Sequence, residues 1–303
     1  MRVAIAGPGD FARYLCEEFI KRGHELVILS RSHKPHLENL AVTQIITDYT
    51  VESLSGPLAD CEVLISTIAD MASTNISVHR NLIHACQQSP KCKRFIPSEF
   101  GGDIESYPDQ PGFLYLAREA IREDLRQQTD LEWTLVSIGW LADYAVPRQN
   151  RYIKDYGELC PIDLASGKIV IPGSGNEAVD LTWARDAAKA LAELVSAPTW
   201  EPYTFISGEH TCWNNVANLV KQRYHPNITV ARQSLHKIAE TLKAARDDDT
   251  ILLVDHQMYS VSQASSLPQD KVLAQRRKYF PNIHFRTLQD GFFELDSNPD
   301  TVL

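Results

Sequence analysis

Arg2-Val3-Ala4-Ile5-Ala6-Gly7-Pro8-Gly9-Asp10-Phe11-Ala12 is the stretch on which the fold turns. Arg2 to Ala6 reads as a buried strand, and Phe11, Leu15, Phe19 and Ile20 recur at helical spacing until Gly23 stops the helix. Between them lies a G-x-G-x-x-A loop that follows a strand and opens a helix, the context in which such a loop carries information. Gly7 allows the tight turn, Gly9 lets the backbone approach a pyrophosphate, and Ala12 is small enough for helix and strand to pack closely. The helix N-terminus adds N–H donors and the positive end of its dipole. Dinucleotide binding by Gly7, Pro8, Gly9, Asp10, Phe11 and Ala12 is the expectation; a tight turn with no ligand is the alternative.

The alternation continues through the first half. Leu26 to Leu29, Gln44 to Ile46, Val63 to Thr67, Arg94 to Ile96 and Trp133 to Ser137 read as strands, with helices over about Ile76 to Gln87 and Leu114 to Gln127. This predicts an α/β fold, with a Rossmann-type doubly wound parallel sheet over residues 1–147. After Pro147 the pattern loosens into an irregular stretch, Lys154 to Ser174, followed by a helix from Asp186 to Val195 that Asp186 could cap. A strand at Tyr203 to Ser207 and helices near 214–222, 235–245 and 270–279 follow. Residues 148–168 and 208–303 are expected to form a smaller α+β substrate lobe, with 169–207 returning to the first domain. Asp247-Asp248-Asp249 reads as a solvated loop, since three adjacent carboxylates on a loop cannot all reach one ion.

Composition narrows the function classes. The chain has 303 residues, 44% hydrophobic and 23% charged, an ordinary globular make-up with room for a main domain and a companion. No apolar run approaches the roughly 20 residues needed to cross a bilayer. Strand-like residues begin at Val3, leaving no space for a secretory leader. With 30 Lys+Arg against 39 Asp+Glu, a net charge of -9 and no basic cluster, nucleic acid is disfavoured as a partner. The six cysteines, Cys16, Cys61, Cys86, Cys92, Cys160 and Cys212, form no C-x-x-C pair and no zinc spacing. The expectation is a cytoplasmic protein with reduced thiols, no metal, no membrane and a small-molecule ligand; the sequence does not indicate an oligomeric state.

The end of the second strand discriminates between the nicotinamide cofactors, because an acid there binds the ribose 2′-OH and a base there pairs with a 2′-phosphate. Ser30-Arg31-Ser32-His33-Lys34 holds no carboxylate. Arg31 offers a planar fork to a phosphate with Lys34 as a second cation, which favours NADP(H); otherwise both are solvated surface residues.

Arg94-Phe95-Ile96-Pro97-Ser98-Glu99-Phe100-Gly101 resembles the R-F-x-P-S-E-F-G block of the NmrA-like and isoflavone-reductase-like proteins, an atypical branch of the short-chain dehydrogenases/reductases. Asp60 to Thr67 is similar to the family's strand before the nicotinamide side, and Trp133 to Ser137, Phe205 to Glu209 with Thr211 to Val216, and Tyr279 to Leu288 are similar to its later segments, so the resemblance spans nearly the whole chain. It implies a Rossmann domain with a smaller lobe and a substrate held between them over the nicotinamide. It also implies Gly7, Gly9 and Ala12 at the pyrophosphate, Arg31 at the 2′-phosphate, Thr67, Ile68 and Ala69 at the ribose side, and Ser98, Glu99 and Phe100 at the nicotinamide end. Two positions depart from the family. Its loop is usually G-x-x-G-x-x-G, whereas the first glycine falls here on Ala6 or shifts to Gly7, and Asp10 adds an anion beside the phosphate site. The plant reductases carry a K-x-x-x-R pair on the next helix, and the matching residues here are Arg118 and Arg122.

Tyr115, Arg118 and Arg122 fall at i, i+3 and i+7, opposite Ala117, Ala120, Ile121 and Leu125. Either they point together toward a cleft, with Arg118 stabilising a growing oxyanion and Tyr115 giving a proton, or the arginines are solvated and Tyr115 is packing. Phe100, Trp140, Tyr144 and Trp183 stand where the family forms its substrate pocket. Three functions follow. The first is an NADPH-dependent reductase of a small, largely apolar, aromatic or secondary-metabolite carbonyl or conjugated alkene. The others are a dinucleotide-binding redox-responsive regulator without turnover, and a non-redox isomerase or cyclase in the same cleft.

Overall fold

The computed structural model describes residues 1–69 and 74–303. In chain order the first elements are β1 (Arg2–Ala6), α1 (Asp10–Lys21), β2 (Glu25–Ser30), β3 (Val42–Ile46), α2 (Val51–Leu58), β4 (Val63–Ser66), α3 (Thr74–Gln88), β5 (Arg94–Ile96), α4 (Gly112–Gln127) and β6 (Glu132–Trp133). Their strands form one parallel sheet in the order β3-β2-β1-β4-β5-β6. The chain reverses its direction of travel across the sheet between β1 and β4, so the carboxyl ends of those two strands open a crevice, where doubly wound sheets bind ligands. The near-continuous apolar runs of β1, β2 and β4 suit a sheet covered by helices on both faces.

The rest comprises β7 (Leu135–Ser137), β8 (Trp140–Leu141), β9 (Ile162–Asp163), β10 (Lys168–Pro172), β11 (Ala178–Thr182), α5 (Ala184–Leu194), β12 (Tyr203–Phe205), β13 (Glu209–Cys212), α6 (Trp213–Tyr224), β14 (Thr229–Gln233), α7 (Leu235–Ala244), α8 (Asp248–Val261), α9 (Gln269–Tyr279) and α10 (Leu288–Ser297). The run Trp133 to Ser137, expected as one strand, divides at Thr134: β6 pairs with β5, and β7 pairs with β12. β10 and β11 lie in two small sheets, β14-β10-β9 and β13-β11-β8, while α5 packs on α1. No helix among the described residues is long and apolar enough to cross a membrane.

Two local readings change. Asp247 is the cap of α8, its Oδ1 accepting the Thr250 N–H at 2.8 Å, so the acidic run opens a helix instead of forming a loop. Asp186 does not cap α5, whose N-cap is Trp183; its buried carboxylate accepts the Arg286 N–H at 2.9 Å and Arg286 Nε at 3.0 Å.

The α5 N-terminus is served from elsewhere. Asp143, fully buried, accepts the Ala184 N–H through Oδ2 at 2.8 Å and the Tyr14 hydroxyl through Oδ1 at 3.0 Å, tying α1 to α5. Burial pushes its carboxyl up to about 6, against those hydrogen bonds. A raised folded-state value means the folded protein holds the proton more tightly than the unfolded chain, so stability from this group falls as pH rises from about 4 to 6. Two pKa units correspond to about 3 kcal/mol. Urea denaturation at pH 4.5 and 7 is expected to show wild type losing stability relative to Asp143→Asn across that range; parallel pH profiles would refute it.

Candidate functional site

The crevice at β1 and β4 is a groove of about 390 Å³ lined by Gly7, Pro8, Gly9, Arg31, Lys34, Tyr49 and Thr67 to Ala69, among others. Gly7 has φ +84°, and a Cβ there would stand 2.6 Å from Ile68 Cγ1, so both the turn and the close approach exclude a side chain. Thr67 Oγ1 donates to the Gly7 carbonyl at 2.6 Å, fixing the turn across the sheet. Gly9 is the N-cap of α1 and gives its N–H groups no side-chain acceptor. Among the described residues a Cβ at Gly9 would meet nothing nearer than Gly7 O at 4.0 Å, which leaves space beside the first turn for phosphate oxygens. Asp10 is drawn aside, its Oδ2 accepting the Lys154 N–H at 3.0 Å. Ala12 is fully buried and belongs to the helix–sheet packing.

Arg31 projects at the mouth of the groove with its Cζ 5.7 Å from the Tyr49 ring. Tyr49, which the sequence reading missed, holds φ +63° while its hydroxyl donates to the Leu29 carbonyl at 2.7 Å. These residues fit a dinucleotide: an uncapped helix N-terminus, glycines without crowding, and two cations at the end of β2.

Thr67, Ile68 and Ala69 also wall a second cavity, again about 390 Å³. Its other walls include Phe11, Ser98, Glu99, Phe100, Phe113, Arg118, Trp140, Tyr144, Tyr156, His256 and Tyr259. Phe100, at φ +40°, turns its ring onto Phe11 with centroids 5.1 Å apart. Ser98, Glu99, Phe100, Trp140 and Tyr144 meet in this cavity, and so does Phe11, which was expected at the phosphate turn. Trp183 does not. It is fully buried behind the cavity wall, in the same apolar cluster as Trp140 and Tyr259 and against Gly291, donating from Nε1 to the Thr287 carbonyl at 3.0 Å.

The α4 residues separate as well. Arg118 lines the cavity, with its Nε 3.4 Å from Glu99 Oε2. Burial lowers its pKa against the pull of Glu99, and a guanidinium so shifted is still cationic at working pH. Arg122, expected beside it, is buried: Nε and Nη2 donate to the two Glu99 oxygens at 2.8 and 3.0 Å, and Nη1 donates to the Pro108 carbonyl at 2.6 Å. It braces the Ser98–Phe100 loop from behind. Tyr115 is half-buried on α4 and absent from the cavity wall, so the expected Tyr115 proton donor is not placed at the cleft.

Phe113, Tyr156, His256 and Tyr259 are among the cavity residues that sequence reading missed. His256 and Tyr259 lie at i and i+3 on α8, and Asp247-x-x-Thr250 was the local signal for that helix. His256 Nδ1 lies 2.7 Å from the Leu252 carbonyl, which can only accept, so Nδ1 carries the proton and Nε2 is an acceptor. The Tyr156 hydroxyl, 3.0 Å from Nε2, donates to it. Burial holds His256 below the usual imidazole range, and the Leu252 bond opposes this only partly.

A 3-2-1-4 strand order with an uncapped glycine turn at its switch point defines a dinucleotide-binding Rossmann protein. The model of an NAD(P)H-binding family matches residues 7–159. The oxidoreductases swnR of Arthroderma benhamiae and of Metarhizium robertsii are each 59% identical over 100% of this chain and 100% of theirs. A crystal structure of isoflavone reductase superposes with a TM-score of 0.76 at 17% identity, covering 97% of this chain and 99% of that one. AtPrR2 with NADP+ and (+)pinoresinol gives 0.77 at 17% identity, covering 97% and 98%. The chain belongs to the NAD(P)H-binding oxidoreductases of the NmrA-like and isoflavone-reductase-like family.

Proposed function

We propose that this protein is an NADPH-dependent reductase that transfers hydride to a small, largely apolar carbonyl or conjugated alkene, of aromatic or other secondary-metabolite character. The observation that carries the reading is the wall formed by Thr67 to Ala69, which belongs to the dinucleotide groove and the aromatic cavity at once. Thr67 to Ala69 would hold a bound nicotinamide cofactor beside the cavity, and the chemistry it would supply there is hydride transfer. Phe11, Phe100, Phe113, Trp140 and Tyr144 offer flat apolar surface to an acceptor and exclude water. Arg118 is the cation positioned to stabilise negative charge on the acceptor's oxygen.

Consumption of NADPH against a panel of aromatic enones and ketones, followed at the reduced-nicotinamide absorbance band, tests this. Tight NADPH binding with no turnover of any acceptor would favour the regulatory alternative. For the cofactor choice, Arg31→Ala is expected to cost about 1.5–3 kcal/mol of NADPH affinity, the range for hydrogen bonds to charged groups, with NADH little changed. Equal losses in calorimetric titrations of the two cofactors would remove Arg31 as the 2′-phosphate ligand.

A further inference from the structure

We infer that Tyr156, oriented by His256, is the proton donor of the aromatic cavity. The inference rests on the reductase reading and supplies the acid that Tyr115 cannot provide from its position on α4. Three observations converge. Tyr156 and Arg118 both line the cavity, so one oxygen of a bound acceptor can meet a cation and a hydroxyl together. The Tyr156 hydroxyl has a fixed partner, His256 Nε2 at 3.0 Å, and His256 is fixed in turn by Leu252 at 2.7 Å and by Phe113 stacked at 4.8 Å. Arg118 favours the tyrosinate electrostatically, against the burial that disfavours it.

The step balances. Hydride from a reduced nicotinamide forms the new C–H bond, and the C=O π pair moves to oxygen. That oxygen takes the proton from Tyr156 as the phenolic O–H bond breaks. The tyrosinate takes the proton that the His256 imidazolium holds on Nε2, and the neutral imidazole then regains one from a hydronium ion of the solvent. Tyr156 can face the acceptor only when Nε2 carries a proton and donates to the phenol oxygen, so the productive form is the imidazolium. Arg118, Tyr144 and Tyr259 line the same cavity as the pair, Tyr144 stacked on Tyr156 with ring centroids 5.9 Å apart, and Glu99 lies beside Arg118. Asp255 neighbours His256 on α8, and Glu158 and Cys160 come from the Tyr156 segment. Burial holds the imidazole below its ordinary range, so kcat rises as pH falls through its midpoint.

The test uses the full chain with NADPH and whichever panel acceptor it reduces. Tyr156→Phe is expected to lower kcat on the order of 10²-fold or more, the scale of general-acid catalysis, while NADPH affinity, read by protein fluorescence, stays within about twofold of wild type. His256→Gln is expected to flatten the kcat–pH profile, because the amide cannot titrate. Without substrate, NMR titration of the His256 ring is expected to show a midpoint that moves in Tyr156→Phe. Wild-type kcat in Tyr156→Phe, or an unchanged pH profile in His256→Gln, overturns the inference and leaves the reductase reading standing. A wild type silent toward every acceptor overturns both. If Tyr156→Phe does not fold, the His256→Gln profile decides alone.

Discussion

Replacing Arg122 by Met is expected to remove about 3–5 kcal/mol of stability, the range for deleting one partner of a buried ion pair. The side chains of Arg122 and Glu99 are 2% and 3% exposed, so solvent cannot take the place of the lost fork. Glu99 would keep only Arg118, at 3.4 Å, and the Pro108 carbonyl would lose its donor. Thermal denaturation is expected to show Tm lower by roughly 5–8 °C. Arg122→Lys should recover only part of this, since an ammonium cannot meet both carboxylate oxygens in one plane. A Met variant within about 1 kcal/mol of wild type, the usual worth of an exposed pair, would show that the bond is dispensable.

Arg118→Met is expected to act on rate and not on folding. If this guanidinium stabilises the charge growing on the acceptor's oxygen, kcat should fall about 10²–10³-fold, the effect of removing one such donor. NADPH affinity should be nearly unchanged, because Arg118 lines the cavity and not the groove. Arg118→Lys should restore part of the rate: a charge returns to the position, without the fork. Turnover at the wild-type rate in Arg118→Met would withdraw the electrostatic role even if reduction itself is real.

The contrast between these two arginines shows where sequence reading stops. Tyr115, Arg118 and Arg122 span only about 60° of a helix surface, yet they end in three environments. Arg122 lies a turn beyond Arg118, beneath Glu99 and Pro108, and no spacing rule encodes that covering loop. The phosphate turn was legible because strand, turn and helix are contiguous: Gly7, Gly9 and Ala12 each have a local steric reason. Trp183 misled because a large aromatic after a strand suits a pocket or a core equally, and packing against Gly291 decides. Tyr156 and His256 were illegible as a pair, since a hundred residues separate them and only tertiary packing brings the ring to the hydroxyl.

The cofactor groove draws its walls from one stretch of chain, Gly7 to Val78, whereas the aromatic cavity borrows from four further segments and closes with His256 and Tyr259 on α8. The two faces are therefore free to diverge at different rates. Changes in α8 reshape the cavity without touching the groove wall, while any change at Thr67 to Ala69 is felt on both sides. A lineage built on this plan can explore new chemistry at its carboxyl-terminal helices and keep its source of reducing power unaltered.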